Sequence, residues 1–457
     1  MNIRARNESV VTRRPKWGAL LLSVVLVVAA CGTNQGGAGS PAAGTPAGGT
    51  PAGGTPAGES PAMGSPAGES PAGAAPPGEI AVWAMGNEGV LLGDFVQSYT
   101  EENADASVEV EPVDWGIARD RLLTAIGGGQ TPDASQMGTD MMGEFIETGA
   151  LEPLPGGVDT SRFFEGAFQS GVAPDGSAYS VPWYVETRVL YYRTDIAEEA
   201  GITEAPATWD DLKAMAQALQ QEGGAEWGIS LGTKNSQEYL PFVWSNGGDV
   251  MAEDGTFALN SPEAVEALEF YDSFFEEGLS PTQVPEGFDI TPAFVQGTHP
   301  MFFSGPWHIG LLDDAGGEGF EEQYAVVPVP APEGGTGTSF IGGGNFVVYT
   351  DSENKELAWH FVDWLTRPET QVAWYEEATV LPSDRSAWEN PTIADDERVA
   401  VFGQQLESAK APPAIPTWAE VANAINTQLE RVTAGDEAAQ AGADAMQQEA
   451  ESVGTGG

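Results

Sequence analysis

Strand-like and helix-like segments alternate along this 457-residue chain, and the alternation predicts an α/β fold with a mostly parallel sheet. Residues 79–84 (EIAVWA) read as a strand, Leu92, Phe95, Val96 and Tyr99 recur at helical spacing, and residues 107–113 alternate as a second strand. Length is the second observation: residues 79–457 number 379, more than one core usually organises, so two lobes are expected. The third is the stretch 175–195, DGSAYSVPWYVETRVLYYRTD, where the chain is expected to cross first between those lobes. Pro182 excludes a helix through the first half of that stretch and holds Val181 extended. Glu186 and Arg188 stand among its apolar residues, where an uncompensated charge is costly to bury. An extended backbone that sets aromatic faces beside a carboxylate suits a sugar, since rings cover C–H faces and the carboxylate accepts from hydroxyls. A core strand ending in a solvated charge fits the same residues.

The N-terminus comes first in order. Arg4, Arg6, Arg13, Arg14 and Lys16 form a basic leader, and the apolar run 17–30 follows it. At 14 residues the run is too short for a membrane-spanning helix and suits a signal peptide. It ends in Val28-Ala29-Ala30-Cys31, which resembles a bacterial lipobox and implies cleavage before Cys31 and lipidation of its thiol. An uncleaved anchor with an incidental cysteine is the alternative. Cys31 is the only cysteine, so a mature exported chain would hold its core without a disulfide. Residues 1–30 are therefore expected to be a lipoprotein signal peptide. Residues 31–78 are expected to be a tether, because 40–74 are seven consecutive Pro/Ala/Gly pentapeptides with almost nothing to bury.

Charge narrows the partners. Without residues 1–30 the chain carries 13 Lys and Arg against 67 Asp and Glu, so nucleic acid and anionic ligands are poor partners. A neutral or cationic solute fits, and acidity also favours solubility.

Further along, Ala118, Leu122, Ala125 and Ile126 mark a helix closed by three glycines at 127–129. In open sheets ligands sit beyond the carboxyl ends of strands, which places the expected loops holding Asn87-Glu88 and Thr139-Asp140 there. Thr208-Trp-Asp-Asp211 is a near capping box, and Ser261-Pro262-Glu263 opens another helix. Residues 299–310 (HPMFFSGPWHIG) read as an apolar strand that stops at Gly305-Pro306 and delivers Trp307. Residues 326–330 are expected to be a strand returning the chain to the first lobe, and 339–349 a glycine-broken strand approached closely by other atoms. A helix is expected over 353–365, and Thr417 is expected to cap the last long helix.

The order of short signatures adds a resemblance. Gly-Gly-Gln-Thr-Pro-Asp133, Val-Pro-Trp183, Tyr191-Tyr-Arg-Thr-Asp195, Thr208-Trp-Asp-Asp-Leu212, Ser245-Asn-Gly-Gly-Asp249, Gly342-Gly-Gly-Asn345 and Leu381-Pro-Ser383 succeed one another in sequence. Together they resemble the carbohydrate-type extracellular solute-binding proteins of ABC importers, in the maltose- and trehalose-binding branch, over residues 79–432. The resemblance implies a type II periplasmic-binding-protein fold with a multi-segment hinge. The expected lobes are 79–186 with 326–369, and 187–325 with 370–457. It further implies a monomeric, non-enzymatic receptor, lipid-anchored at the outer face of the bacterial cell membrane, that closes on a sugar, a disaccharide being favoured, and presents it to a permease.

Carried over by position, the sugar contacts fall on Glu88, Arg119, Asp140, Tyr184, Glu186, Trp307 and the turn Gly343, Gly344, Asn345, with Arg385 as a looser match and Trp244, before the Ser-Asn-Gly-Gly motif, as a candidate extra wall. Asn345 stands where many relatives carry an aromatic residue, and Glu186 where aspartate is commoner. Carboxylates that accept, an arginine that donates and rings that stack would together match a polyol leaving water. Most tryptophans in a chain like this are packing residues and most acids are solvated.

A secreted glycosidase is the rival from another class, since acids and tryptophans also line sugar-cleaving sites. A receptor for another solute, such as a polyamine, is a second alternative. No cofactor or metal is expected: His299, His308 and His360 show no ligand spacing.

Overall fold

The computed structural model describes residues 73–285 and 287–456; the leader, Cys31 and most of the expected tether lie outside the described residues. Among the described residues ten strands run β1 Gly78–Met85, β2 Ala106–Val113, β3 Ala134–Gly138, β4 Val181–Thr187, β5 Val189–Arg193, β6 Met301–Ser304, β7 Tyr324–Val327, β8 Ser339–Val348, β9 Leu381–Pro382 and β10 Ala409–Lys410. They form two sheets, one ordered β2-β1-β3-β8-β4-β9 with β10 beside β8, and one ordered β6-β5-β7. Each sheet is the floor of a lobe.

The first sheet is mixed and the small one antiparallel, rather than mostly parallel. β1 pairs parallel to β2 and β3, but β8 runs antiparallel between β3 and β4, and all pairs of the small sheet are antiparallel. The reason is the crossing. β8 arrives from the second lobe and enters the first sheet against the direction of β3 and β4. The expected return at 326 also falls later: Val326 and Val327 still pair with β5 in the small sheet. Residues just after 370 differ as well, because Trp374 stacks on Trp183 at 5.0 Å and β9 pairs with β4 in the first sheet.

Helix punctuation obeys local chemistry. The Thr208 hydroxyl accepts from the Asp211 N–H while the Asp211 carboxylate accepts from the Thr208 N–H, a complete capping box on the helix Trp209–Gln221. Ser261 caps Pro262–Glu276 through the Ala264 N–H. Thr417 stands at the N-cap of Trp418–Thr433 as expected, but its hydroxyl donates to the Gly454 carbonyl at 2.6 Å and caps no N–H, and that helix is not the last long one, since Ala439–Val453 follows it. The helices Ser236–Ser245, Pro262–Glu276, Trp418–Thr433 and Ala439–Val453 bury Leu240, Phe242, Leu268, Tyr271, Ile425 and Met446 in the second-lobe core. Ile80, Val82, Leu92, Trp183, Phe346 and Phe361 fill the first. Among the described residues no helix is long and apolar enough to cross a membrane.

Two of the segments that join the lobes are bonded to each other, while a third crossing follows β10 on the way to the helix Trp418–Thr433. The Thr187 hydroxyl donates to the Phe340 carbonyl, and the Ser339 hydroxyl both accepts from the Arg188 N–H and donates to the Arg188 carbonyl. The crossings at 187–189 and 338–340 are thus bonded side by side, and a cleft opens beside them.

Candidate functional site

The first-lobe wall of the cleft is set by glycine. In β8, Gly342, Gly343 and Gly344 lie opposite Glu186, Val185 and Tyr184 of β4. A Cβ on Gly342 would stand 2.7 Å from Glu186 Oε1, and one on Gly344 would stand 2.7 Å from the Tyr184 ring. Gly343 has φ +124°, and a Cβ there would meet the Tyr184 carbonyl at 2.2 Å. Side chains in β8 would therefore displace the two groups that β4 offers. Gln136 braces them from β3: its Oε1 accepts from the Met85 N–H at 2.6 Å and its Nε2 donates to the Tyr184 hydroxyl at 3.2 Å.

Glu88 lies in the first turn of the helix Gly86–Glu102, not in a loop. Burial, and secondarily the charge of Glu186, pushes its carboxyl up. Asp140, just after β3, is raised the same way, with Glu186 again contributing. Burial drives the Tyr184 hydroxyl far above the ordinary tyrosine range, and the charges of Glu88, Glu186 and Asp140 add to the shift. Three carboxyl groups and one phenol thus share one low-dielectric patch.

The second-lobe wall presents Trp307, the first residue of the helix Trp307–Gly316 and 40% exposed. The Arg188 guanidinium lies over its ring at 4.6 Å, within 3.6 Å of Glu186 Oε1, and donates to Gln237 Oε1 at 3.3 Å. A cavity of about 680 Å³ runs between the walls, lined by Glu88, Tyr184, Glu186, Trp307, Asp314 and Tyr375 among others. That volume is in the range of small-molecule sites. A second cavity of about 270 Å³ is lined by Arg119, Asp140, Glu144, Gln237, Trp418 and Asn426.

Seven of the sequence-derived residues thus reach the cleft walls in some form: Glu88, Arg119, Asp140, Tyr184, Glu186 and Trp307 as side chains, and Gly344 as the backbone beside Tyr184. Arg119 arrives already engaged, its Nε and Nη2 donating to the two oxygens of Glu144 at 2.7 and 2.6 Å. Gly343 acts through the room it leaves. The other three lie elsewhere. Asn345 is fully buried on the opposite face of β8 from Gly344, its Nδ2 donating to the Ser170 hydroxyl at 3.0 Å, because successive strand residues alternate faces. Trp244 is buried in the second-lobe core, its indole N–H on Asp249 Oδ1 at 3.1 Å. Arg385 pairs with Glu407 at 2.7 Å and lines a separate cavity with Phe164 and Lys410.

Two residues stand beside the site that the sequence does not place among the sugar contacts. Trp115 opens the helix Trp115–Gly128, is 36% exposed, and leans so close that a Cβ on Gly86 would meet its indole at 2.7 Å. Its position, in the first turn after a parallel strand with Asp114 as cap, is the available signal. Arg188 is the other; it stands in the crossing stretch as a charge among apolar residues. The histidines serve packing contacts: the Tyr99 hydroxyl meets His360 Nδ1 at 2.9 Å, and His308 Nδ1 meets the Ser304 hydroxyl at 2.6 Å.

Two α/β lobes, two bonded crossings and a cleft with acceptors on one wall and an exposed indole on the other define a solute-binding receptor of the periplasmic type. Residues 83–372 match the family of bacterial extracellular solute-binding proteins, and the chain belongs to that family. It is similar to the sugar-binding protein MalE of Xanthomonas citri, with 28% identity, a TM-score of 0.78, and 82% of this chain and 97% of that chain covered. The GacH receptor of Streptomyces glaucescens, solved unliganded and with acarbose, is similar at 26% identity and TM-score 0.71, covering 82% of this chain and 98% of that one. A galactooligosaccharide-binding protein of Bacillus subtilis is 25% identical over 78% of this chain and 85% of its own length.

Proposed function

We propose that this solute-binding protein is the extracytoplasmic receptor of a sugar importer, closing its two lobes on a disaccharide or short oligosaccharide. Sugar binding rests on one observation above the rest: a cavity of about 680 Å³ that faces Glu88, Tyr184 and Glu186 with Trp307. Hydroxyls entering it meet carboxylate acceptors, and the indole offers a face for pyranose C–H groups. Similarity to sugar-binding MalE and to a galactooligosaccharide-binding protein supports the same ligand class. Closure is an equilibrium drawn toward the closed form by contacts that need both walls at once. In this reading residues 1–30 are removed, Cys31 carries lipid, the repeats over 40–74 lift the receptor from the membrane, and a monomer hands its sugar to an ABC permease without chemical change.

A thermal-shift screen with mono-, di- and trisaccharides tests this. At least one sugar should raise the melting temperature by several degrees and be recovered intact. A flat screen, or recovery of the sugar as hydrolysis products, would overturn the reading and favour the glycosidase, for which Glu88 and Glu186 would be the carboxyl pair.

A further inference from the structure

Arg188 sits at the point where the chain leaves the first sheet for the second, between β4 and β5. Its backbone is bonded on both sides to Ser339 in the other crossing. The side chain is 16% exposed and touches both lobes: Nη2 lies 3.6 Å from Glu186 Oε1 and donates to Gln237 Oε1, while the guanidinium carbon lies over the Trp307 ring, 4.6 Å from its centroid. Nη1 is buried with no acceptor, the only cationic nitrogen in that condition among the described residues. A buried donor left unpaired costs stability, and a side chain kept at such a cost calls for an explanation.

We propose that Arg188 is the positioning residue of the cleft, holding the Glu186 carboxylate of one wall and the Trp307 indole of the other in a single fixed relation. The proposal rests on the sugar-receptor reading and deepens it. A carboxylate alone would turn among rotamers, and an exposed indole alone would swing with its helix. One planar cation that pairs with the first and stacks on the second fixes the spacing between acceptor and stacking face, and with it which sugar hydroxyl meets the carboxylate. Only a guanidinium does both, since an ammonium has no plane to stack. Its place on the bonded crossings also means that a ligand pressing on either partner acts directly on the hinge. The geometry therefore makes Arg188 a determinant of affinity through two neighbours, not a packing residue.

The test is a double-mutant cycle by calorimetry on the purified protein, using the tightest binder among maltose, maltotriose, trehalose and galactobiose, with unliganded melting measured alongside. Arg188→Met should weaken binding by roughly tenfold or more and Arg188→Lys by several-fold, since the charge stays and the stack is lost. Trp307→Ala should cost about tenfold, and the double variant Arg188→Met with Trp307→Ala should bind little worse than Arg188→Met alone, because coupled residues do not add. Losses that multiply, or an Arg188→Lys protein that binds like wild type, would overturn the role of Arg188 while leaving the receptor reading intact. A lower melting temperature with unchanged affinity would do the same and make Arg188 structural. Wild-type protein that binds none of the four sugars would overturn the receptor reading itself, and the proposal with it.

Discussion

The two walls of the cleft are built on different principles. The first-lobe wall is backbone architecture: three successive glycines in β8 clear space for Tyr184 and Glu186, and Gln136 braces from the next strand. The second-lobe wall centres on one exposed side chain, Trp307, at the start of a helix after Gly305-Pro306. A wall made by backbone fixes hydrogen-bonding atoms rigidly, and altering it endangers the fold. A wall made by a protruding indole contributes stacking and can be removed at little structural cost. Where recognition needs direction the molecule uses sheet, and where it needs contact area it uses a helix end.

This contrast breaks most sharply at Gly343. Gly343→Val requires a β-branched residue at φ +124° with a Cβ 2.2 Å from the Tyr184 carbonyl. The expected cost is at least about 3 kcal/mol of stability, read as a large fall in chemical-denaturation midpoint. A midpoint near wild type would show that the wall is adaptable. Trp307→Ala comes next: sugar affinity should fall by ~1 kcal/mol or more while the melting temperature barely moves. Unchanged affinity would remove Trp307 from the site.

Proton linkage separates the lobes further. Glu238, in the second lobe and held by the Gly232 N–H, is pushed by burial to about 7 from an ordinary 4.5. Its raised value means the folded protein retains a proton that the unfolded chain has released. Ionised Glu238 therefore costs stability, a cost absent below 4.5, growing as pH rises and complete above about 7. Glu238→Gln should accordingly melt higher than wild type at pH 8 and match it at pH 4. A gap independent of pH would contradict the assignment. On the first wall, Glu88 and Asp140 are also raised, so sugar affinity should weaken on acidification at a pH above their ordinary carboxylate range, as acceptors become protonated. Smallest of all, Trp244→Phe and Arg385→Ala should leave affinity within about twofold, because neither side chain lines the cleft cavity.

The same physics decides which features are legible in the sequence and which are hidden. Thr208 and Ser261 are legible as caps because capping is decided within four residues. Trp307 is legible because Gly-Pro ends its strand and exposes the next side chain. Asn345 is misread because three glycines carry no side-chain alternation to reveal strand parity, and the pairing shifts between Pro182 and Tyr184 opposite. Trp244 and Arg385 are misplaced because their partners, Asp249 and Glu407, are ordinary acids in an acidic chain until the fold brings them near. Arg188 is visible in the sequence as a charge among apolar residues, but its meaning depends on Gln237 and Trp307, 49 and 119 positions away. The return to the first sheet is expected too early because β7 and β8 are both apolar, and only pairing distinguishes them.

The central claim, two walls closing on one sugar, is tested most directly by small-angle X-ray scattering of the purified protein with and without the saccharide that stabilises it most. The account predicts a smaller radius of gyration at saturation, and a smaller contraction in Trp307→Ala at the same sugar concentration. Scattering curves that superimpose with and without bound sugar would contradict it.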